Sequence, residues 1–173
     1  MTKREHIPDT QINMLLGRFQ AKQEQATGDL VRLIRHTGMR PCIEALTSPL
    51  KVSYAKDKYL ALTIQKGKGG KKRTIPIVDS YVINLLTAPD KMSTIREIPY
   101  DTHARRFARA VKECAITSSL PSLHAIRHSY AVAAYRKTKD FWAVKRLLGH
   151  SKVETTTTYL AEVYEMDELA ERL

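Results

Sequence analysis

One stretch departs from the pattern of the rest of the chain, and it constrains the fold most. Tyr59–Gln65 alternates roughly as a strand does, and Arg73–Val78 reads as a second, returning strand. Between them Lys66–Lys72 carries Gly67, Gly69 and Gly70, which turn where a residue with a Cβ resists. Two strand-like runs joined by a glycine-rich link make an antiparallel hairpin, here with a lysine-rich tip. Most of the remaining chain has helical period, so the expected class is α+β: mostly helical, with a small antiparallel β-sheet near the middle.

The helices follow from spacing and punctuation. Residues 1–8 read as a loose polar lead-in, after which Asp9 or Thr10 caps a helix whose apolar positions are Ile12, Leu15, Leu16 and Phe19. A second helix runs from Asp29 through Ile34 and stops at Gly38. Beyond the hairpin, helices are expected at Tyr81–Leu86, Asp101–Ile116, Ser122–Arg136 and Phe141–Leu148, then two elements around Tyr159 and from Val163 onward. With 173 residues and 43% hydrophobic content, one domain with its own core is expected over 1–173. No apolar run is long enough to cross a membrane, and Cys42 and Cys114 fit no zinc-ligand spacing, so they read as reduced thiols.

Charge narrows the partner. Lys and Arg outnumber Asp and Glu by 29 to 18, a net of +11. Residues 160–173 hold five acids and one base, a net of −4, so residues 1–159 carry +15. A body this basic favours a polyanion through phosphate neutralisation and counterion release. A soluble basic protein that binds RNA or heparin would show the same balance.

Three short segments are candidates for chemistry. In Leu123–Tyr130, His124 and Arg127 lie one turn apart on a helix that Ser122 is expected to cap, where the positive end of the dipole suits an anion. H-x-x-R alone is unspecific. Leu148-Gly149-His150-Ser151 reads as a corner: Gly149 ends one helix in the left-handed conformation, and Ser151 with Glu154 forms a capping box for the next. His150 is pinned between the two. Nine residues on stands Tyr159, behind four threonines whose propensity also allows a strand.

Taken in order, these segments resemble the tyrosine site-specific recombinases of the phage integrase family. The resemblance rests on Thr37-Gly38-Met39-Arg40, the Gly-Lys-Gly-Gly-Lys-Lys-Arg hairpin, His124-Ala125-Ile126-Arg127-His128, Leu148-Gly149-His150-Ser151 and Tyr159, and it runs from about Leu30 to Glu162. It implies that Arg40 and Arg127 clamp the non-bridging oxygens of a scissile DNA phosphate, with His150 donating a further hydrogen bond. It also implies that His124 assists proton transfer near Tyr159, whose phenol (ordinary pKa about 10) attacks to form a 3′-phosphotyrosyl bond. Lys68 at the hairpin tip would protonate the departing 5′-oxygen. No metal or nucleotide cofactor is implied, and the sequence shows neither a P-loop nor a carboxylate cluster for magnesium.

The implied partner is double-stranded DNA, met by a homotetramer at synapsis or by a monomer when the domain is isolated, in the cytoplasm and at the nucleoid of a bacterial or phage-infected cell. Lys66, Lys71, Lys72 and Arg73 on the hairpin, and Arg105 and Arg109 on their helix, are candidate DNA contacts. The acidic tail 160–173 would form a final helix docked on its own domain or exchanged with a neighbour. The family's separate N-terminal DNA-clamping domain is not expected here.

One departure from the family concerns Arg40. The glutamate often found three residues after this arginine is replaced by Ile43, and Glu44 follows one position later behind Pro41, so the local backbone is expected to differ. Alternative readings are a type IB topoisomerase-like nicking and closing enzyme, and a non-catalytic DNA-binding regulator of recombinase descent. His6, His36 and His103 read as surface or structural histidines, Trp142 and Tyr130 as core, and Tyr164 as a rival nucleophile whose distance from His150 does not fit.

Overall fold

The computed structural model describes residues 6–55, 59–116 and 122–160, with the side chains of Lys68, Val153, Glu154, Thr158 and Tyr159 outside that description. Helix α1 (Asp9–Ala21) buries Ile12, Leu15 and Phe19, which fall on one face at helical spacing. Pro8 precedes it, and neither Asp9 nor Thr10 caps it by a side chain. Helix α2 (Gln25–Thr37) starts four residues earlier than expected and ends at Gly38 in the left-handed conformation, with Gly38 N donating to Ile34 O. A Cβ at Gly38 would overlap the Tyr130 ring, so glycine serves both the backbone conformation and the close approach.

The sheet has three antiparallel strands in the order β1 (Leu50–Ala55), β2 (Tyr59–Ile64), β3 (Arg73–Ile77). Register places Leu60 opposite Ile77 and Leu62 opposite Ile75, so both strands turn their aliphatic residues to the core. On the other face Thr63 and Thr74 share a hydroxyl hydrogen bond of 3.0 Å. The hairpin is thus present, and β1 adds a strand that the sequence reading did not resolve. Pro76 is tolerated because β3 is an edge strand.

Helices α3 (Ser80–Thr87), α4 (Pro89–Glu97), α5 (Tyr100–Glu113), α6 (Leu123–Thr138), α7 (Phe141–Leu148) and α8 (Val153–Leu160) complete the described chain. Helix α4 was not expected. Helix α7 has its expected limits, set by Asp140, whose carboxylate accepts from Trp142 N and Ala143 N, and by Gly149 at φ 65°. Ser122 does not cap α6 through its side chain; its carbonyl accepts from Ala125 N instead. Around Tyr159 the chain is helical rather than extended.

Two apolar clusters organise the packing. One joins α1–α5, the inner sheet face and the start of α6; the other joins the end of α6 with Val144, Leu148 and Leu160. Arg127, His128 and Ser129 lie on α6 between them, and all three are buried. Ile7 belongs to the core: it is 1% exposed, and its N–H and C=O both bond Ser129 Oγ at 2.9 Å. The loose lead-in therefore does not extend to Ile7. Residues 1–5 and the tail beyond Leu160, including Tyr164, lie outside the described residues. Among the described residues no helix is long and apolar enough to cross a membrane.

Candidate active site

The site is built where the C-terminal ends of α2 and α7 meet the middle of α6. Arg127, 1% exposed, donates from Nη1 to Gly38 O and from Nη2 to Leu148 O at 2.7 Å. Both carbonyls close a helix, where partial negative charge accumulates, so a buried guanidinium is favoured there. Arg127 Nη2 also lies 3.1 Å from His150 Nε2. A guanidinium only donates, so Nε2 is the unprotonated nitrogen, and Nδ1–H is assigned to the bond with Thr156 Oγ1 at 2.9 Å. His150 is thus neutral; burial, followed by Arg127, Arg40 and Arg73, pushes its pKa down to about 3. In this geometry it accepts from Arg127, whereas the sequence reading expects a donor to phosphate.

The departure at Arg40 has a structural solution. Pro41–Leu46 forms a π-helical turn, in which Ala45 N reaches Arg40 O at 3.1 Å across five residues. The wider turn absorbs the extra residue and returns Glu44 onto Arg40. Its Oε2 accepts from Arg40 N at 2.7 Å, and Oε1 accepts from Arg40 Nη1 at 2.5 Å. Glu44 is fully buried and also takes Arg73 in a two-pronged pair, Nη1 to Oε1 at 2.7 Å and Nη2 to Oε2 at 2.8 Å. Arg127 Nη1 stands 3.5 Å from Oε2. Burial alone would raise the Glu44 pKa, but Arg73, the Arg40 N–H and Arg127 outweigh it and hold the carboxyl below its ordinary value. Three guanidiniums share one carboxylate, leaving two positive charges in excess.

Above this cluster opens a cleft of about 830 Å³ between the hairpin and α7, walled by Arg40, Lys71, Lys72, Arg73, Lys145 and Arg146. Asp140 is the acid in its wall. Trp142, read from sequence as core, is 65% exposed and lines this cleft, with Lys145 Nζ 5.5 Å from its ring centre. It sits on the first turn of α7, its ring edge-on to that of Phe141 at 5.9 Å between centroids.

The other predicted residues divide. Lys68 lies on the short 3₁₀ turn Lys68–Gly70 at the hairpin tip, its side chain outside the described atoms. Lys66, Lys71 and Lys72 are exposed, the last two in the cleft wall. Arg73, expected as a DNA contact, is half-buried: it lines the cleft and pairs with Glu44, with its stem beneath Gly149. His124 is exposed in the first turn of α6 and is not part of the cleft wall. Arg105 and Arg109 are also away from it: Arg105 bonds its own helix, and Arg109 pairs with Glu24. Tyr159 stands near the end of α8, which packs on α6 and α7. His103 is a structural residue, bonded to Thr27 Oγ1 and Ile95 O. The sequence reading noted Glu44 only as a displaced family position; its role as the shared carboxylate, Arg73 as its ion-pair partner, and Thr156 were not singled out, and the one available signal was that acid four residues after Arg40. Among the described residues no three His, Cys, Asp or Glu side chains gather as metal ligands do.

The model of the phage integrase family matches residues 5–166. The tyrosine recombinase XerD of Agrobacterium fabrum is 31% identical over 188 residues, covering 86% of this chain and 55% of the relative. A tyrosine recombinase of Thermosipho africanus is 26% identical over 168 residues, covering 91% and 58%. The chain thus spans a little over half the length of these relatives. Among solved structures, XerH recombinase bound to a palindromic difH substrate superposes with a TM-score of 0.75 at 21% identity, over 99% of this chain and 54% of that one. A lambda integrase dimer bound to a core site gives 0.66 at 21% identity, over 92% and 60%.

Proposed function

The chain belongs to the phage integrase family, and on that premise we propose that it cuts and rejoins DNA strands in site-specific recombination. The observation that carries this reading is the trio of Arg127, which is buried, and Arg40 and Arg73, which are half-buried, on the buried Glu44, with its excess positive charge at the floor of a basic cleft. Such an arrangement stabilises a phosphate whose negative charge grows in the transition state, and it is organised before substrate arrives.

In this reading Arg40, in the cleft wall, takes a non-bridging oxygen directly, while Arg127 contributes its charge and holds the ends of α2 and α7 together. Tyr159 attacks phosphorus through its phenolic oxygen, the bond to the 5′-oxygen breaks, and a 3′-phosphotyrosyl link forms. His124 assists removal of the phenolic proton, and Lys68 supplies a proton to the 5′-oxygen. His150, once released from Arg127 and carrying a proton on Nε2, adds a donor to the phosphate. Lys66, Lys71 and Lys72 meet the DNA backbone, with Trp142 beside them. Arg105 and Arg109 would serve a second, outlying contact. A tetramer on DNA, exchange of the acidic tail between protomers, and a cytoplasmic, nucleoid location extend the same proposal.

The test uses a nicked duplex carrying a candidate recombination site, at low salt, with products separated on a denaturing gel. Wild type is expected to give a covalent protein–DNA band, and Tyr159→Phe to give none. A band that persists in Tyr159→Phe overturns the assignment of the nucleophile.

A further inference from the structure

We infer that Arg73 is a positioning residue that serves as the counter-charge of Glu44, so that Arg40 and Arg127 keep their positive charge for a phosphate. The inference rests on the recombinase reading for its purpose but on the Glu44 cluster for its geometry. Glu44 has a clear use: it orients Arg40 by accepting from both its backbone N–H and its Nη1. A lone carboxylate in that place would also cancel one of the two charges that the phosphate requires. Arg73 meets it with both Nη atoms, the geometry in which a guanidinium neutralises a carboxylate most fully.

Three observations describe how Arg73 is held, although it too lines the cleft. Its side chain is 8% exposed, between Arg127 at 1% and Arg40 at 15%. Its stem lies beneath the Gly149–His150 corner so closely that a Cβ at Gly149 would come within 2.9 Å of its Cδ and Nη1. Its Nε is buried without a hydrogen-bond partner, so the head group is committed to Glu44 at the expense of its own third donor. The same pair also secures the hairpin. Arg73 opens β3, and a Cβ at Gly67, at the other side of the tip, would stand 3.2 Å from Glu44 Oε1. The backbone at Gly67, next to Lys68, thus runs close beside the group that orients Arg40.

The charge argument has a distinctive consequence. Arg73→Met leaves Glu44 to cancel one of the two charges of Arg40 and Arg127, whereas adding Glu44→Gln restores the original excess of two charges while keeping an acceptor for Arg40. The experiment titrates inorganic phosphate into the full chain, followed by NMR shifts, for wild type, Arg73→Met, Arg73→Lys and the Arg73→Met/Glu44→Gln double variant. Thermal melts identify the folded proteins. Arg73→Met is expected to weaken phosphate binding about tenfold, Arg73→Lys to stay within about threefold of wild type, and the double variant to recover most of the loss. Removing both members of a buried pair is tolerated better than removing one, so the double variant also serves as the folded control. A double variant as weak as Arg73→Met, a folded Arg73→Met that binds like wild type, or a wild type that binds no phosphate each overturns the inference. The covalent-adduct assay decides the recombinase reading separately: its failure leaves the phosphate titration interpretable, and the reverse holds too.

Discussion

The molecule contains two clusters in which one glutamate gathers three arginines, and they differ in what surrounds them. Glu44 is fully buried, with Arg40, Arg73 and Arg127 between 1% and 15% exposed. Glu24 joins Arg18, Arg106 and Arg109 where α1, α2 and α5 meet; Arg109 there is 56% exposed, and Arg18 has a second acid in Glu113 at 2.6 Å. The Glu24 cluster stitches helices together in contact with water, which screens its residual charge. In the Glu44 cluster a similar set of residues is more fully desolvated and opens toward a basic cleft. Composition is nearly the same in the two; they differ in how far the arginines reach solvent, up to 15% around Glu44 and up to 56% around Glu24.

The comparison breaks most directly at the two glutamates. Glu44→Gln is expected to lower stability by about 3–5 kcal/mol, the cost of breaking a buried ion pair from one side, and Glu24→Gln by about 1.5–3 kcal/mol, the range for a charged hydrogen bond. Urea melts of the two variants check this, and equal losses would remove the distinction.

A smaller effect sharpens it through pH. The folded pKa of His150 is depressed from 6.5 to about 3, so the unfolded chain binds the extra proton first. Its contribution to stability is complete above about pH 6.5 and is lost as pH falls toward about 3. Glu44, also held below its ordinary 4.5, adds to the loss at the acid end of that range. His103 is lowered by burial in the same direction, so the measurement is a difference: His150→Asn should show a flatter stability profile than wild type between pH 6.5 and 4.5. Parallel profiles would mean that His150 is not held neutral by its neighbours.

The smallest effect is expected at the exposed edge of the Glu24 cluster. Arg109→Gln should cost less than about 1 kcal/mol and lose that difference in high salt, as exposed ion pairs do. A loss of several kcal/mol, unchanged by salt, would place Arg109 in a desolvated network like that of Glu44.

Much of the fold was legible because it rests on neighbours in the chain. Asp140 and Gly149 mark the ends of α7, Gly38 ends α2, and three glycines between two alternating runs announce the hairpin. β1 was harder to read: its apolar positions Leu50, Val52 and Tyr54 are partly or wholly exposed, so little burial backs their alternation. Trp142 was misread because a large aromatic is usually buried, and nothing nearby in sequence shows that its side of α7 faces a cleft.

The sequence by itself determined the helical and strand periods, the glycines that end α2 and α7, the basic body and the order of motifs that marks the family. These depend on residues a few positions apart. Tertiary structure alone decided that Glu44 would return across a π turn to Arg40, that Arg73 would pair with Glu44 beneath Gly149, and that Arg109 would serve Glu24 rather than the cleft. A charge has the same symbol wherever it stands, but its energy depends on the water removed and on the partners supplied, and both come from distant segments, as in the 89 residues that separate Arg127 from Gly38.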